Sequence, residues 1–221
     1  MNTKNTYGRK EANQEYAELM LQYMEEKYET SFRIVEYIFP EGGINSGMRE
    51  NVLVVEDSNG VIANAKARMS TPYSYYDDYV DACGATLICN QLDLSGLQAL
   101  GNAELYAVVK SKTVADIDVT PVGVTSVTLV ANIPQHVSAD AMTQLYDAYY
   151  RICDAGYAKV YVIAWFTDGS AEFDQAVDNY RVYGKASWQN YTGTVYAALK
   201  VSDTKLSYED FQGLLIENEK E

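Results

Sequence analysis

The sequence predicts an α+β fold, a mostly antiparallel sheet packed by helices, with one β-α-β unit around residues 122–166. Three stretches lead to it. Residues 122–131 carry Val122, Val124, Thr125, Val127, Thr128 and Val130. These β-branched side chains are stiff at χ1 and suit a pleated, packed surface. Met142, Leu145, Tyr149 and Ile152 follow at spacings of three and four, which puts them on one helix face. Residues 159–166 read KVYVIAWF, apolar at nearly every position, as in a strand buried on both faces. One helix between two strong strands makes a parallel crossover the default connection. Its punctuation agrees: Pro134 stops the first strand, Ser138 caps the helix, and Gly156 ends it.

The remaining elements are placed by local signals. Residues 11–28 form an amphipathic helix with Tyr16, Leu19, Met20, Tyr23 and Lys27 on one stripe. Residues 32–39 form a strand closed by Pro40. Strands at 51–57 and 61–69 flank Ser58-Asn59-Gly60, the strongest short hairpin signal, because Asn and Gly both tolerate positive φ. Residues 73–90 are expected to be helical from about Tyr75. A short turn or helix is expected at 92–100 and a strand at 105–112. Ser170 is expected to cap a short helix, residues 194–201 to form a last strand, and residues 207–216 a final helix capped by Ser207. This order predicts a flexible lead at 1–10, a helix-plus-meander half at 11–90, and a second α+β half at 104–216. The alternative is a single domain containing both. The two halves share a coarse helix-plus-sheet order, so two similar small folds are a further expectation.

Composition narrows the function classes. The net charge is −14 over 221 residues, which disfavours a nucleic-acid backbone or an anionic membrane surface as partner. No run approaches the roughly 18–20 apolar residues of a membrane span, and residues 1–5 lead into polar sequence. Cys83, Cys89 and Cys153 show no zinc spacing. Cys153 reads as a small core residue, and Cys83 and Cys89 can pair only if the local backbone brings them together.

Few motifs carry chemistry. Gly42-Gly43-Ile44-Asn45-Ser46-Gly47 follows a strand, but lacks the Gly-Lys-Ser/Thr ending and the helix a phosphate loop needs. His136 is the one histidine, too few for a multi-histidine zinc site, and it reads as a loop residue. Asp116 and Asp118 lack the oxygen-rich loop of a calcium hand, and Asp168-Gly169 reads as a turn. Asp77, Asp78 and Asp81, on a helix, would place Asp77 and Asp81 on one face, a geometry that can hold a divalent cation. A solvated helix start is the plainer explanation of these acids. No catalytic residue and no cofactor is assigned.

The 20 tyrosines are the distinctive feature. Tyr pairs a ring with a hydroxyl and loses little entropy when fixed, so tyrosine-rich surfaces suit protein or carbohydrate partners. Tyr73, Tyr75, Tyr76 and Tyr79 crowd one segment and are the predicted binding residues. Tyr146, Tyr149, Tyr150 and Tyr157 form a second group; Tyr180, Tyr183, Tyr191 and Tyr196, with Trp188, form a third.

Tyr16-Ala17-Glu18-Leu19 and Tyr23-Met24-Glu25-Glu26-Lys27-Tyr28, then Phe32-Arg33-Ile34-Val35, then a helix and strand over 138–166, give a layout that resembles uncharacterised secreted or lipid-anchored cell-envelope proteins of Gram-positive bacteria. The resemblance implies a removed leader and an extracellular or cell-envelope location, with the cytoplasm as the alternative. It brings no activity with it. The leading expectation is therefore a non-enzymatic binding or accessory protein. Its alternatives are an acidic intracellular inhibitor that mimics nucleic acid, and a metal-dependent enzyme around Asp77, Asp78 and Asp81.

Overall fold

In the computed structural model, residues 4–38, 50–68, 74–184, 193–202 and 205–218 are described. The chain divides into two units, residues 1–79 and 80–221. Among the described residues, the first holds one helix packed on a four-stranded sheet, the second holds helices packed on a five-stranded one, and the strand pairing is antiparallel except at one parallel pair. The fold is α+β, as the sequence predicts.

The first unit begins with helix α1 (Lys4–Tyr28), followed by β1 (Phe32–Ile38), β2 (Glu50–Asp57), β3 (Ile62–Arg68) and β4 (Ser74–Asp77). These form an antiparallel meander in the order β1-β2-β3-β4. The Asn59-Gly60 hairpin forms where expected. Gly60 sits at φ 81°, and Asp57 Oδ1 accepts the Asn59 and Val61 amides at 2.8 Å each. Ala63, Ala65 and Ala67 alternate along β3, all buried, with Leu53 and Val55 opposite Ala65 and Ala63. On α1, from residue 14 onward, the buried residues are Ala17, Met20 and Met24. Leu19, expected on the buried stripe, is instead exposed, because Met20 and Met24 set the inward face.

One expected helix is partly a strand. Residues 74–77 pair with β3 in register, Ala67 with Tyr75 and Ala65 with Asp77. Helix α2 (Tyr79–Leu92) starts only at Tyr79 and, from Val80 onward, belongs to the second unit. A short tyrosine- and aspartate-rich run has no strong helical preference, and the open edge of β3 supplies ladder hydrogen bonds that decide it.

In the second unit, a 3₁₀ turn (Leu94–Ala99) leads to β5 (Asn102–Val109), β6 (Val124–Ile133), α3 (Ala139–Asp154), β7 (Val160–Thr167), α4 (Ala171–Tyr183), β8 (Val195–Val201), α5 (Tyr208–Gln212) and β9 (Leu215–Glu217). Sheet order follows chain order, β5-β6-β7-β8-β9. Strands β6 and β7 pair in parallel, Val127 with Val160 through Ile133 with Phe166, with α3 between them. The Ser138 hydroxyl accepts the Ala141 amide at 3.2 Å, and Gly156 takes φ 93° after the helix. Met142, Leu145, Tyr149 and Ile152 are all fully buried. Val130 and Trp165 of the sheet pack with Ala176 and Val177 of α4, so β6 and β7 are covered on both faces. The final helix is shorter than predicted, because Leu215–Glu217 turns back to pair with β8 instead of continuing it.

Cys83 and Cys89 both lie on α2 and form no disulfide. They stand six positions apart on the helix, about 9 Å of rise, so they do not pair. Cys153 is buried, as predicted.

Candidate functional site

The predicted tyrosine segment is distributed by β-strand geometry. On β4 successive side chains point to opposite faces. Tyr75 faces α1 and stacks on Tyr23, with ring centroids 5.4 Å apart, while Tyr76 is 36% exposed. Tyr79 is only 5% exposed and packs edge-on against Tyr28 and Phe32. Its hydroxyl donates to Asp57 Oδ2 at 2.8 Å. Tyr79 is thus a core residue, not part of an exposed patch. Tyr73 lies outside the described residues.

The three aspartates are separated in the same way, since Asp77 ends a strand, Asp78 follows it, and Asp81 lies in the first turn of α2. The shared helix face behind the metal expectation is not formed. Asp77 Oδ2 accepts Tyr23 Oη at 2.7 Å and Lys27 Nζ at 2.6 Å, and Oδ1 accepts Tyr28 Oη at 2.5 Å. Asp78 takes the Asn64 backbone and side-chain N–H groups at 2.6 and 2.7 Å. Asp81 Oδ1 accepts the Val109 amide at 2.7 Å. Among the described residues no group of three or more His, Cys, Asp and Glu side chains is arranged to hold a metal ion.

The environments of Asp77 and Asp78 push them apart. Burial alone would raise the Asp77 carboxyl; the hydrogen bonds from Lys27, Tyr28 and Tyr23 outweigh it and hold it below its ordinary 3.8. For Asp78 burial prevails and the carboxyl is raised. A depressed carboxyl contributes stability above the unfolded value, lost as pH falls through the folded value. Asp77 therefore contributes fully above about pH 5 and less as pH drops below 3.8. In urea unfolding between about pH 6 and about pH 3, Asp77→Asn is expected to flatten the acid-side loss of stability in residues 1–79. An acid limb identical to that of the parent chain would remove Asp77 as its source.

The remaining motifs make local contacts. The His136 ring is exposed and stacks on Tyr196 at 3.7 Å. Asp116 Oδ2 accepts the Thr113 hydroxyl, and Asp118 Oδ1 accepts the Thr120 amide. Asp168 Oδ1 takes both the Ser170 amide and hydroxyl, and Oδ2 takes the Thr194 amide at 2.7 Å, which holds the turn at Gly169. This turn replaces the expected side-chain cap from Ser170. The glycine loop at 42–47, Trp188 and Tyr191 lie outside the described residues.

A tyrosine surface forms instead in the second unit, where α5 lies on α3. Tyr149, fully buried, accepts the Leu206 amide at 3.0 Å, and Tyr146 Oη donates to the Leu206 carbonyl at 3.0 Å. Two tyrosines from α3 thereby hold both backbone groups of one residue in the loop before α5. Burial pushes the Tyr149 phenol up to about 12, so it stays protonated. Ser207 caps α5, its Oγ accepting the Asp210 amide at 3.1 Å. This seats Phe211 in the core, with rings 4.9 Å from Tyr149 and 5.3 Å from Tyr146. It also brings Tyr208 edge-on to Tyr146 at 5.2 Å. Tyr150, one turn beyond Tyr146, lies 6.0 Å from it and is 48% exposed. Tyr146, Tyr150 and Tyr208 thus meet at the surface, with Asp147, Asp154 and Glu209 exposed around them.

Tyr146 and Tyr150 were legible as an i, i+4 pair. Tyr208 was missed, because 58 positions separate it from Tyr150 and only the packing of α5 on α3 joins them.

No family model matches the chain, and no curated protein matches its sequence. Among solved structures it is similar to the crystal structure of a DUF5037 family protein from Ruminococcus gnavus ATCC 29149 at 2.55 Å resolution. The two share 10% identity, with a TM-score of 0.42, over 88% of this chain and 96% of that one.

Proposed function

We propose that the protein is a non-enzymatic binding or accessory protein of the cell envelope, taking a protein or carbohydrate partner on a tyrosine-rich surface. The supporting observation is the meeting of Tyr146, Tyr150 and Tyr208 at the junction of α3 and α5. Tyr150 presents a ring at 48% exposure beside a rigid base of buried Tyr149 and Phe211. Rigid aromatic anchors lose little entropy on binding, which suits recognition. The envelope location rests on the sequence resemblance. No helix among the described residues is long and apolar enough to cross a membrane.

The test is binding of the immobilised protein to a peptide library and to a panel of cell-wall polysaccharides. Tyr150→Ala with Tyr208→Ala is expected to weaken capture by about ten-fold or more. Both rings are at least partly exposed, so melting should move by only about 2–4 °C. Undiminished capture by the double variant would remove this surface. Failure of the parent protein to hold any member of either panel would count against the binding role itself.

A further inference from the structure

Tyr150 carries a carboxylate one turn on either side, Asp147 before it and Asp154 after it. Positions three and four apart share a helix face, so the three form one stripe along α3. All three are exposed. Glu209, also exposed, follows Tyr208 on α5. Among the described residues, the side-chain carboxylates of Asp147, Asp154 and Glu209 take no hydrogen bond or ion pair; the Gly213 amide reaches only the Glu209 backbone carbonyl. Arg151 lies within the stripe's own sequence, yet its Nη1 donates to the Leu92 and Asp93 carbonyls at 3.4 and 3.2 Å. This guanidinium, within the stripe's own sequence, is thus directed to the end of α2 and the residue after it.

Resting on the binding role proposed above, we infer that the occupant of this surface is a segment of a partner protein bearing Lys or Arg. A guanidinium or ammonium over the Tyr150 or Tyr208 ring is attracted by the ring face, and each flanking carboxylate supplies it with an acceptor. A neutral glycan would stack on the rings but leave the three carboxylates without a cation. An anionic polymer would be repelled, as would a second copy of this chain at net charge −14.

The probes are two synthetic peptides of equal length, one carrying Arg and Lys and one with Gln in their place, together with a neutral cell-wall oligosaccharide. The chain as a whole attracts any polycation, so place must be separated from net charge. One variant carries Asp147→Asn, Asp154→Asn and Glu209→Gln. A second carries Glu15→Gln, Glu18→Gln and Glu26→Gln, exposed on α1, and changes net charge equally. The basic peptide is expected to bind the parent. It should lose about ten-fold or more in affinity in the first variant and less than about two-fold in the second. Raising salt from about 50 mM to about 300 mM should weaken it further, as screening shortens the reach of the charges. Equal losses in the two variants would reduce the effect to net charge and overturn the inference. Preference for the oligosaccharide or the Gln peptide, with sensitivity to Tyr150→Ala, would overturn it while leaving the binding role standing. No binding of any probe would overturn it as well.

Discussion

Asp77→Ala is expected to destabilise residues 1–79 by about 3 kcal/mol, because it removes the buried acceptor that ties α1 to β4. The Asp77 side chain is 1% exposed and collects two tyrosine hydroxyls and an ammonium, all from the last turns of α1. Removing it leaves the Tyr23 and Tyr28 hydroxyls without their acceptor, and each lost partner costs about 1–3 kcal/mol. The ion pair itself contributes little, because Lys27 is 41% exposed and water screens it. Lys27→Met should therefore cost no more than about 1 kcal/mol. The two variants separate the roles: hydrogen exchange should speed up in the second half of α1 for Asp77→Ala and hardly change for Lys27→Met. Equal losses would mean that the charge pair, not the hydroxyl bonds, ties α1 to β4.

Gly101→Ala is the second. Gly101 enters β5 at φ +153°, and a Cβ there would lie 2.2 Å from the Asn132 carbonyl oxygen and 2.6 Å from Pro134 Cδ. Backbone cannot yield as a flexible side chain does, so the start of β5 must move away from β6. The affected edge includes the Asn102–Asn132 pair. It also includes the polar chain in which Asn132 Nδ2 donates to Asp174 and the Thr167 hydroxyl donates to Asn132 Oδ1. Backbone strain and overpacking together are expected to cost about 3 kcal/mol or more. Gly96→Ala is the control, with nothing within 4 Å of its added Cβ. It should stay within about 0.5 kcal/mol in the same denaturant series. A Gly101→Ala midpoint matching that of Gly96→Ala would show that the edge relaxes freely.

The contrast between α3 and β4 shows where legibility ends. Helix α3 could be read from its own residues: a serine that caps, an apolar face at helical spacing, and a glycine that accepts positive φ. Each signal acts within a few residues, so nothing distant had to be known. The Asn59-Gly60 hairpin is local in the same sense. Residues 74–77 carry no such signal. Their conformation depends on the β3 edge, and that choice of strand over helix sent Tyr75 onto Tyr23, left Tyr76 outward and separated Asp77 from Asp81.

The tyrosine surface follows the same division. Sequence alone determined the abundance of tyrosine, the acidity of the chain, the β-α-β unit and the i, i+4 placement of Tyr146 and Tyr150. Tertiary structure decided which rings are buried and which meet. Tyr79 became core because its hydroxyl found Asp57, and Tyr208 joined Tyr146 because Leu206 is held by Tyr146 and Tyr149. Tyrosine is close to neutral between core and surface, with an apolar ring and a polar tip. Its placement is settled by the partner its hydroxyl reaches, and those partners lie 22 residues away for Tyr79 and 60 for Tyr146.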